Sequence, residues 1–287
     1  MTTRHRLSPA IAAILFAGVL SAQESVPASA ATPPAVVTPA PADASAPILR
    51  LGDKIINLPS PEVPAAGTLS MLFTHRFSEA LEDSDIHSLY SFDSGAEIGI
   101  GLGYTPVKHL QVSVYRSSRL DDYEADLKWQ VVSGGFGLAL RGGGGWRTER
   151  NVQYRSGFFA QAILGVSIGP RIRVTVVPTY VSRYGGERFV APKPLYENIY
   201  NFPAALSIAV TRSIYLNGEI VPRNGRADST GVGWMASIEK TVPRHRFSFT
   251  VGNLRGTTVS QYVGSTFSGL PPKNYFIGFN LARSWKL

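Results

Sequence analysis

The chain has 287 residues, no cysteine and a formal net charge of +8. The lack of cysteine excludes disulfide bonds and a lipid anchor attached to a cysteine. No run of about 18 apolar residues is present, which excludes helical membrane spans. The basic residues are scattered, with no Lys/Arg run longer than two, so the charge does not indicate nucleic-acid binding.

The first predicted element is a secretory signal peptide over residues 1–22. A short basic start, Arg4 to Arg6, precedes the apolar run AIAAILFAGVL (10–20) and a few small residues. The apolar run is too short to cross a bilayer as a helix, and the arrangement is typical of a cleaved signal. A buried N-terminal helix is the alternative.

Residues 23–66 form a predicted periplasmic segment that is rich in Pro, Ala, Ser and Thr. It contains too few large apolar side chains to offset the entropy of ordering, so we expect it to be mostly disordered. Its most apolar part, ILRLGDKIINL (48–58), is a candidate for docking near a barrel mouth. The segment is therefore either a disordered tether or a partial plug.

From residue 67 onward, apolar residues alternate with polar or small ones, which is typical of strands with two different faces. In YEADLKWQV (123–131), every second residue is apolar, while Glu124, Asp126, Lys128 and Gln130 share the opposite face. Such segments predict about twelve strands. They start near Leu69, Gly95, Leu110, Tyr123, Phe136, Phe158, Ile172, Ala204, Ile214, Val232, Phe247 and Tyr275.

The connections between these strands alternate between short and long. The short ones are 105–109, 132–135, 169–171, 211–213 and 242–245; the others are 78–94, 117–122, 141–157, 183–203, 222–231 and 253–274. Short periplasmic turns, long external loops and an even strand number characterise outer-membrane barrels. We therefore predict an all-β fold, a transmembrane antiparallel up-and-down β-barrel over residues 67–287, with a soluble barrel or sandwich as the alternative.

The third long connection, 141–157, begins with Gly142 to Gly145, which we interpret as a flexible start of an external loop. Several of the long connections also contain aromatic residues, including Tyr200, Phe202 and Tyr262. These aromatics either narrow the mouth of the barrel or anchor it at the membrane interface, and we favour anchoring for Tyr200 and Phe202.

The last predicted strand, YFIGFNLARSWKL (275–287), is amphipathic and ends in an apolar residue. This ending is typical of outer-membrane barrels and indicates recognition by the barrel assembly machinery. Arg283 falls on the face that carries Phe279 and Leu281, where it would reach the periplasmic interface beside Trp285.

With these segments in place, the chain resembles a family of bacterial outer-membrane β-barrels known only as a domain of unknown function, common in Bacteroidetes and Acidobacteria. The resemblance rests on INLPSPEVPAAGTLSMLFTHRF (56–77), FDSGAEIGIGLGY (92–104), VSVYRSS (112–118), DYEADLKW (122–129), RFSFTVGNLRGTTVSQYV (246–263) and GFNLARSW (278–285). It implies an outer-membrane barrel and no particular substrate.

Charged residues on the inward face are the candidate functional groups, because moving them to lipid would cost roughly 2–4 kcal/mol for Arg or Lys at mid-depth. They are Arg76, Glu97, Glu124, Asp126, Lys128, Arg141, Arg173, Glu219, Glu239 and Arg246. They either line a lumen that selects a polar solute or pair across strands and fill the interior.

Catalysis is not predicted. Outer-membrane phospholipases use a Ser–His dyad on such a barrel, yet His75, His87, His109 and His245 show no His-x-Ser arrangement on one strand. With no Cys and no close His pair, no metal is expected, and no cofactor is indicated. The sequence predicts a porin-like passive channel for small polar solutes, in contact with outer-membrane lipid. The alternative is a closed structural or anchoring barrel that binds partners through its external loops or its periplasmic tail.

Overall fold

The computed structural model describes residues 51–148, 156–182, 187–190, 193–196, 198–222, 232–263 and 274–287. The predicted signal peptide and residues 23–50 of the periplasmic segment lie outside the described residues. No helix in the described ranges is long and apolar enough to cross a membrane.

The described chain forms a closed antiparallel barrel of 12 strands. Alternating side chains make each strand two-sided, and every strand pairs with its neighbours in sequence. The strands are β1 (Thr68–Phe77), β2 (Ala96–Val107), β3 (Leu110–Ser117), β4 (Asp122–Val132), β5 (Phe136–Arg147), β6 (Ser156–Ile168), β7 (Ile172–Val176 and Thr179–Val181), β8 (Ile199–Asn201 and Ala204–Ala209), β9 (Ile214–Val221), β10 (Gly233–Val242), β11 (His245–Gly252) and β12 (Phe276–Lys286). The predicted fold is confirmed.

Pairing of the first and last strands closes the barrel. β1 lies antiparallel to β12, with Thr68 opposite Lys286 and Arg76 opposite Gly278. With an even strand number, the start of β1, the end of β12 and the short turns lie at one end, which is the periplasmic end in barrels of this kind. The long connections lie at the other end, where one of them carries a two-stranded hairpin (Glu187–Val190 with Lys193–Tyr196).

Prolines interrupt β7 and β8. Pro178 separates the two parts of β7, and Pro203 follows Phe202 between the two parts of β8. Proline cannot donate to the strand ladder, so the regular pairing lapses there. The predicted strand starts lie close to the observed ones, except that β8 begins at Ile199, before its interruption.

The run Gly142 to Gly145 belongs to β5, so its interpretation as a flexible loop start is wrong. β5 continues to Arg147 and pairs with β4 on one side and β6 on the other. A Cβ atom on Gly143 would lie 2.3 Å from the carbonyl oxygen of Ala125. Close approach of the two strands, rather than flexibility, therefore requires glycine at this position.

The barrel is apolar outside and polar inside. Ile100, Leu102, Leu127, Trp129 and Phe247 are among the large apolar residues that are exposed on the outer face. The alternate residues of the same strands are buried and largely polar. This distribution is the reverse of a soluble barrel and fits a wall in contact with lipid.

The short α1 helix (Val259–Val263) lies inside the barrel, and all five of its residues are buried. Residues 51–66 precede β1, and Ile56 and Leu58 among them are fully buried. This part of the predicted disordered segment is ordered, because its apolar side chains pack in one cluster with Val259, Tyr262 and wall residues of β5 to β10. A cluster of buried apolar residues thus lies inside the lumen.

Candidate functional site: the lumen

Two chain segments fill much of the lumen. The lumen segment, Leu51–Pro64, enters from the periplasmic end, where it is continuous with β1. The infolded loop, Asn253–Val263, follows the external end of β11 and includes α1. Polar groups of the barrel wall hold both segments.

Glu219 on β9 is the main contact of the wall with the lumen segment. Glu219 is 2% exposed, and its carboxylate accepts hydrogen bonds from three successive backbone N–H groups. The Oε1 atom lies 2.7 Å from the nitrogen of Ile56, 3.0 Å from that of Asn57 and 2.9 Å from that of Leu58. Three convergent donors suit a buried carboxylate, since they replace the water that it has lost.

Arg76 on β1 and Asn280 on β12 bind the same part of the lumen segment from a different part of the wall. The Arg76 guanidinium donates to Asn57 Oδ1 at 3.1 Å and to Asn280 Oδ1 at 2.8 Å. Asn280 in turn donates to the carbonyl oxygen of Ile56 at 3.0 Å. The residues from Ile56 to Leu58 are therefore held between β9 on one side and β1 and β12 on the other.

Wall cations bind the acidic residues at the two ends of the lumen segment. Lys128 Nζ lies 3.4 Å from Asp53 Oδ1 and donates to the carbonyl oxygen of Glu62 at 2.8 Å. Arg173 forms an ion pair with Glu62 at 2.9 Å. Gln111 adds a 2.6 Å hydrogen bond to Asp53.

Acidic residues of β4 hold the infolded loop. Glu124 Oε1 accepts the backbone N–H of Val259 at 2.6 Å. Asp122 Oδ2 accepts the hydroxyls of Thr258 and Ser260 at 2.7 and 2.8 Å. On β6, Gln161 donates to the Tyr262 hydroxyl oxygen at 3.1 Å. These contacts place α1 across the external half of the lumen.

Lys54 lies between the two segments. Its ammonium group is 4.3 Å from the ring centroid of Tyr115 and 3.5 Å from the carbonyl oxygen of Thr257. Burial, and secondarily the positive charge of Arg141, lowers the pKa of Lys54 to about 8. Docking of the lumen segment therefore disfavours the charged form of Lys54.

The remaining charges pair on the wall or at its rim. Asp126 and Arg141 form a two-pronged ion pair at 2.7 and 2.9 Å, and Glu239 pairs with Arg246 at 2.7 Å. Glu97 lies at the external end, 2.5 Å from Arg119.

All ten predicted lumen residues thus have their side chains on the inner side of the wall. Eight are buried, while Glu97 and Arg246 are partly exposed. Six of them, Arg76, Glu97, Glu124, Lys128, Arg173 and Glu219, contact one of the two segments rather than an open channel.

Sequence reasoning missed Asp122 and Arg147, which lie 3.8 Å apart and contact the infolded loop. A signal was present for both. Asp122 has the same parity along its strand as Glu124 and Asp126, and Arg147 has that of Arg141. The early end assigned to β5 removed Arg147 from consideration.

A cavity of about 310 Å³ remains in the periplasmic half of the lumen, between the lumen segment and the wall. Small side chains leave this space: Gly101, Gly103, Ser113, Ser248 and Ser284 line it. Charged groups of both signs also line it, including Lys54, Lys128, Glu239 and Arg246. The cavity thus combines apolar surface with charged groups, and it is large enough for several water molecules or a small solute.

Three of the four described histidines have ring contacts that the structure shows. His75 faces outward, with its ring stacked 4.8 Å from that of Phe279. His109 Nδ1 lies 3.2 Å from Gln130 Oε1, and His245 Nδ1 lies 3.2 Å from the Pro243 carbonyl oxygen. Within the described ranges, no histidine side chain is hydrogen-bonded to a serine hydroxyl.

The aromatic residues of the long connections lie at two kinds of site, on the outside of the barrel and in its lumen. Tyr200 and Phe202 are 63% and 62% exposed on β8 and beside it, and the Tyr200 ring packs 5.1 Å from that of Tyr180. Tyr262 is buried in the lumen. The first two positions suit an interfacial aromatic belt, while Tyr262 narrows the lumen.

Comparison with known proteins identifies the domain. The family described as "Membrane bound beta barrel domain (DUF5777)" matches residues 51–285, a range that includes the lumen segment as well as the barrel. No curated protein matches the sequence.

Several solved structures are similar in fold. One is the NanC porin, with 6% identity, a TM-score of 0.49 and coverage of 76% of this chain and 100% of that one. A second is an outer-membrane channel from Pseudomonas putida F1, with 10% identity, a TM-score of 0.47 and coverage of 78% and 97%. A third is outer membrane phospholipase A from Escherichia coli, with 10% identity, a TM-score of 0.42 and coverage of 75% and 92%. At these values, the three structures carry no information on the function of this chain.

Proposed function

Because the chain belongs to this family of membrane-bound β-barrel domains, we propose that it is a channel for small polar solutes that the lumen segment holds closed at rest. The barrel resides in the bacterial outer membrane, as the family and the apolar outer face indicate. The observation that carries the proposal is the binding of Ile56, Asn57 and Leu58 by the single carboxylate of Glu219. This contact stabilises a removable chain segment across the lumen instead of a permanent filling of wall side chains.

The chemistry of the lumen supports this proposal. Polar contacts and the apolar side chains of Ile55, Ile56 and Leu58 hold the segment. Because residues 51–64 pair with no strand of the barrel, the segment can leave without breaking the strand ladder. Its departure would merge the 310 Å³ cavity with the space that Ile55 to Ser60 occupy. The wall so exposed carries charges of both signs, which suits a hydrated polar solute better than an apolar one.

The second candidate is a closed barrel that serves as an anchor. The observation in its favour is the apolar cluster that the lumen segment shares with Val259 and Tyr262 of the infolded loop. This cluster occupies the lumen from both ends and would resist opening. In that case, the external loops or the periplasmic tail would bind partners.

Single-channel recording in planar bilayers separates the two candidates. We expect brief, rare openings from the full-length protein and long-lived openings after deletion of residues 51–64. Deletion of residues 30–43, which has the same length but lies before the docked part, should leave the recordings unchanged. If neither deletion gives conductance steps, the barrel is closed and the channel proposal is wrong.

The charges on the wall then determine selectivity. In the 51–64 deletion background, Lys128→Glu should shift the reversal potential in a salt gradient towards cations, because it replaces a buried positive charge with a negative one. Lys128→Arg is the control and should leave the potential nearly unchanged. An equal potential in all three proteins would show that Lys128 does not line the conducting path.

A further inference from the structure

We infer that the periplasmic end of the barrel carries a binding surface for the headgroups of anionic phospholipids. The surface, here named the basic arc, consists of Arg212, Lys240, Arg244, Arg283 and Lys286. It lies at the periplasmic rim, with Lys240 and Arg283 on the outer face of their strands, and does not depend on whether the lumen conducts.

The basic arc follows consecutive strands. Arg212 lies in the turn between β8 and β9, and Arg244 in the turn between β10 and β11. Lys240 is opposite Ile214 of β9, while Arg283 is opposite His245 of β11. Since these strands are neighbours around the barrel, the five cations form one continuous stretch of the periplasmic rim.

The cations of the arc are available to a ligand. Arg212, Arg244, Arg283 and Lys286 are exposed, and Lys240 is half-buried. The Lys240 ammonium donates to Ser213 Oγ at 3.0 Å, and the Lys286 ammonium donates to the carbonyl oxygen of Ala66. The Arg283 guanidinium lies 4.9 Å from the ring centroid of Trp285. Within the part of the chain that the structure describes, none of the five forms an ion pair with Asp or Glu.

The short turns of this rim have no acidic side chains, and Glu62, near the end of the lumen segment, pairs with Arg173 outside the basic arc. The short turns 108–109, 133–135, 169–171, 210–213 and 243–244 contain Lys108, Arg171, Arg212 and Arg244 but no Asp or Glu. The nearest acid on these strands, Glu239, points into the lumen and pairs there with Arg246. The positive charge is therefore not neutralised within the rim, and it accounts for part of the net charge of the chain.

The position of the arc selects lipid as the partner. The side chains of Lys240 and Arg283 project from the outward face of their strands. This face carries Ile238 and Leu281 and contacts the membrane. Near the ends of these strands, long basic side chains reach the level of the headgroups. Each Lys or Arg near an anionic lipid surface raises binding about five-fold, whereas a zwitterionic headgroup offers no net charge.

The opposite side of the same rim provides an internal control. The turn between β4 and β5, residues 133–135, has no charged side chain, and the adjacent turn between β2 and β3 carries a single cation, Lys108. Trp129 lies close to this turn on the outer face of β4 and is 53% exposed. Trp285 in the basic arc and Trp129 outside it therefore report on lipid at the same end of one barrel.

Quenching of tryptophan fluorescence by brominated lipids tests the inference. Two single-tryptophan proteins, retaining Trp285 or Trp129 with the other tryptophans changed to Phe, are reconstituted in phosphatidylcholine vesicles that contain a minor fraction of phosphatidylglycerol. One or the other lipid is brominated. We expect brominated phosphatidylglycerol to quench Trp285 beyond its share of the bilayer and to quench Trp129 only in proportion to that share.

The triple variant Arg212→Gln, Lys240→Gln and Arg244→Gln should lower the relative affinity at Trp285 by roughly ten-fold or more. The matched variant Arg212→Lys, Lys240→Arg and Arg244→Lys keeps the charges and should retain it. Equal enrichment at Trp285 and Trp129, no enrichment at either, or an unchanged value in the Gln variant would each overturn the inference.

Discussion

Individual lumen residues do more than contribute charge, and Glu219 is the clearest case. In sequence it is one inward acid among several, whereas in the structure its carboxylate accepts three backbone N–H groups of one short segment. Hydrogen bonds to a charged group contribute about 1.5–3 kcal/mol each. A single side chain can thus decide whether the lumen segment stays docked.

Replacing Glu219 with Ala should expose the backbone of the lumen segment. The amides of Ile56, Asn57 and Leu58 lose their acceptor, so their hydrogen exchange should accelerate roughly ten- to hundred-fold. Exchange measured by mass spectrometry on peptides covering residues 51–64 detects this. Glu239→Ala, which removes a lumen acid that contacts Arg246 and Ser248 instead, should leave these peptides protected. Equal acceleration in both variants would contradict the assigned role.

Lys54 should make the docking of the lumen segment depend on pH. Its pKa is about 8 when docked, against 10.5 for the ordinary side chain. The docked state therefore binds fewer protons between these values, and docking should strengthen as the pH rises from about 8 to 10.5. Below about pH 8 the lysine is protonated in both states, and its contribution to the pH dependence should end.

Channel recordings across this range provide the test. The open time of the full-length protein should fall as the pH rises from 8 to 10.5, because the segment docks more tightly. In Lys54→Met, the open time should be short and independent of pH, since no charge has to be buried. A slope that persists in Lys54→Met would assign the titration to another group.

At the scale of strands, glycine determines how closely neighbouring chains approach. Gly143 on β5 lies so near β4 that a Cβ atom would meet the Ala125 oxygen at 2.3 Å and the Asp126 Cβ at 2.7 Å. Gly144, the next residue, has only the Gly157 oxygen near it, at 3.5 Å. The same residue type therefore has different importance at adjacent positions of one strand.

Gly143→Ala should destabilise the barrel by about 1–3 kcal/mol, as expected for overpacking. Gly144→Ala makes only ordinary contacts and should change stability little. The temperature at which the folded, fast-migrating form is lost in gel electrophoresis reports the difference. Loss at the same temperature in both variants would indicate that β4 and β5 can move apart at little cost.

At the scale of the whole molecule, the outer and inner surfaces of the barrel differ in polarity. An apolar exterior and a polar interior suit a barrel in lipid, and they place the densest apolar cluster within the lumen, where the two segments meet. The cost of a charged substitution on the outer face should therefore depend on the depth of that position in the membrane rather than on burial in the protein.

Two Arg substitutions on the outer face test this dependence. Leu127 lies at the middle of β4, so Leu127→Arg should cost roughly 2–4 kcal/mol of folding free energy in the bilayer. Val107 ends β2 at the periplasmic rim, and Val107→Arg should cost about 0–1 kcal/mol. Urea unfolding from lipid vesicles measures both values. Equal costs would mean that the assumed position of the barrel in the membrane is wrong.

The sequence by itself determined the barrel, its strand number and the inward face of its strands. Alternation along a strand is a local property, and the sorting of short and long connections follows from strand order alone. Asp122 and Arg147 were within reach of the same reasoning, because parity places them with Glu124 and Arg141.

Only the tertiary structure decided what the inward charges contact. The partners of Glu219 and Lys128 lie in a segment far away in the chain, and no periodic pattern encodes which wall group a non-repetitive segment will bind. Composition suggested disorder for residues 51–66, since a short apolar stretch cannot form a core alone. Inside the barrel, the wall and the infolded loop supply the missing apolar surface, and the segment becomes ordered.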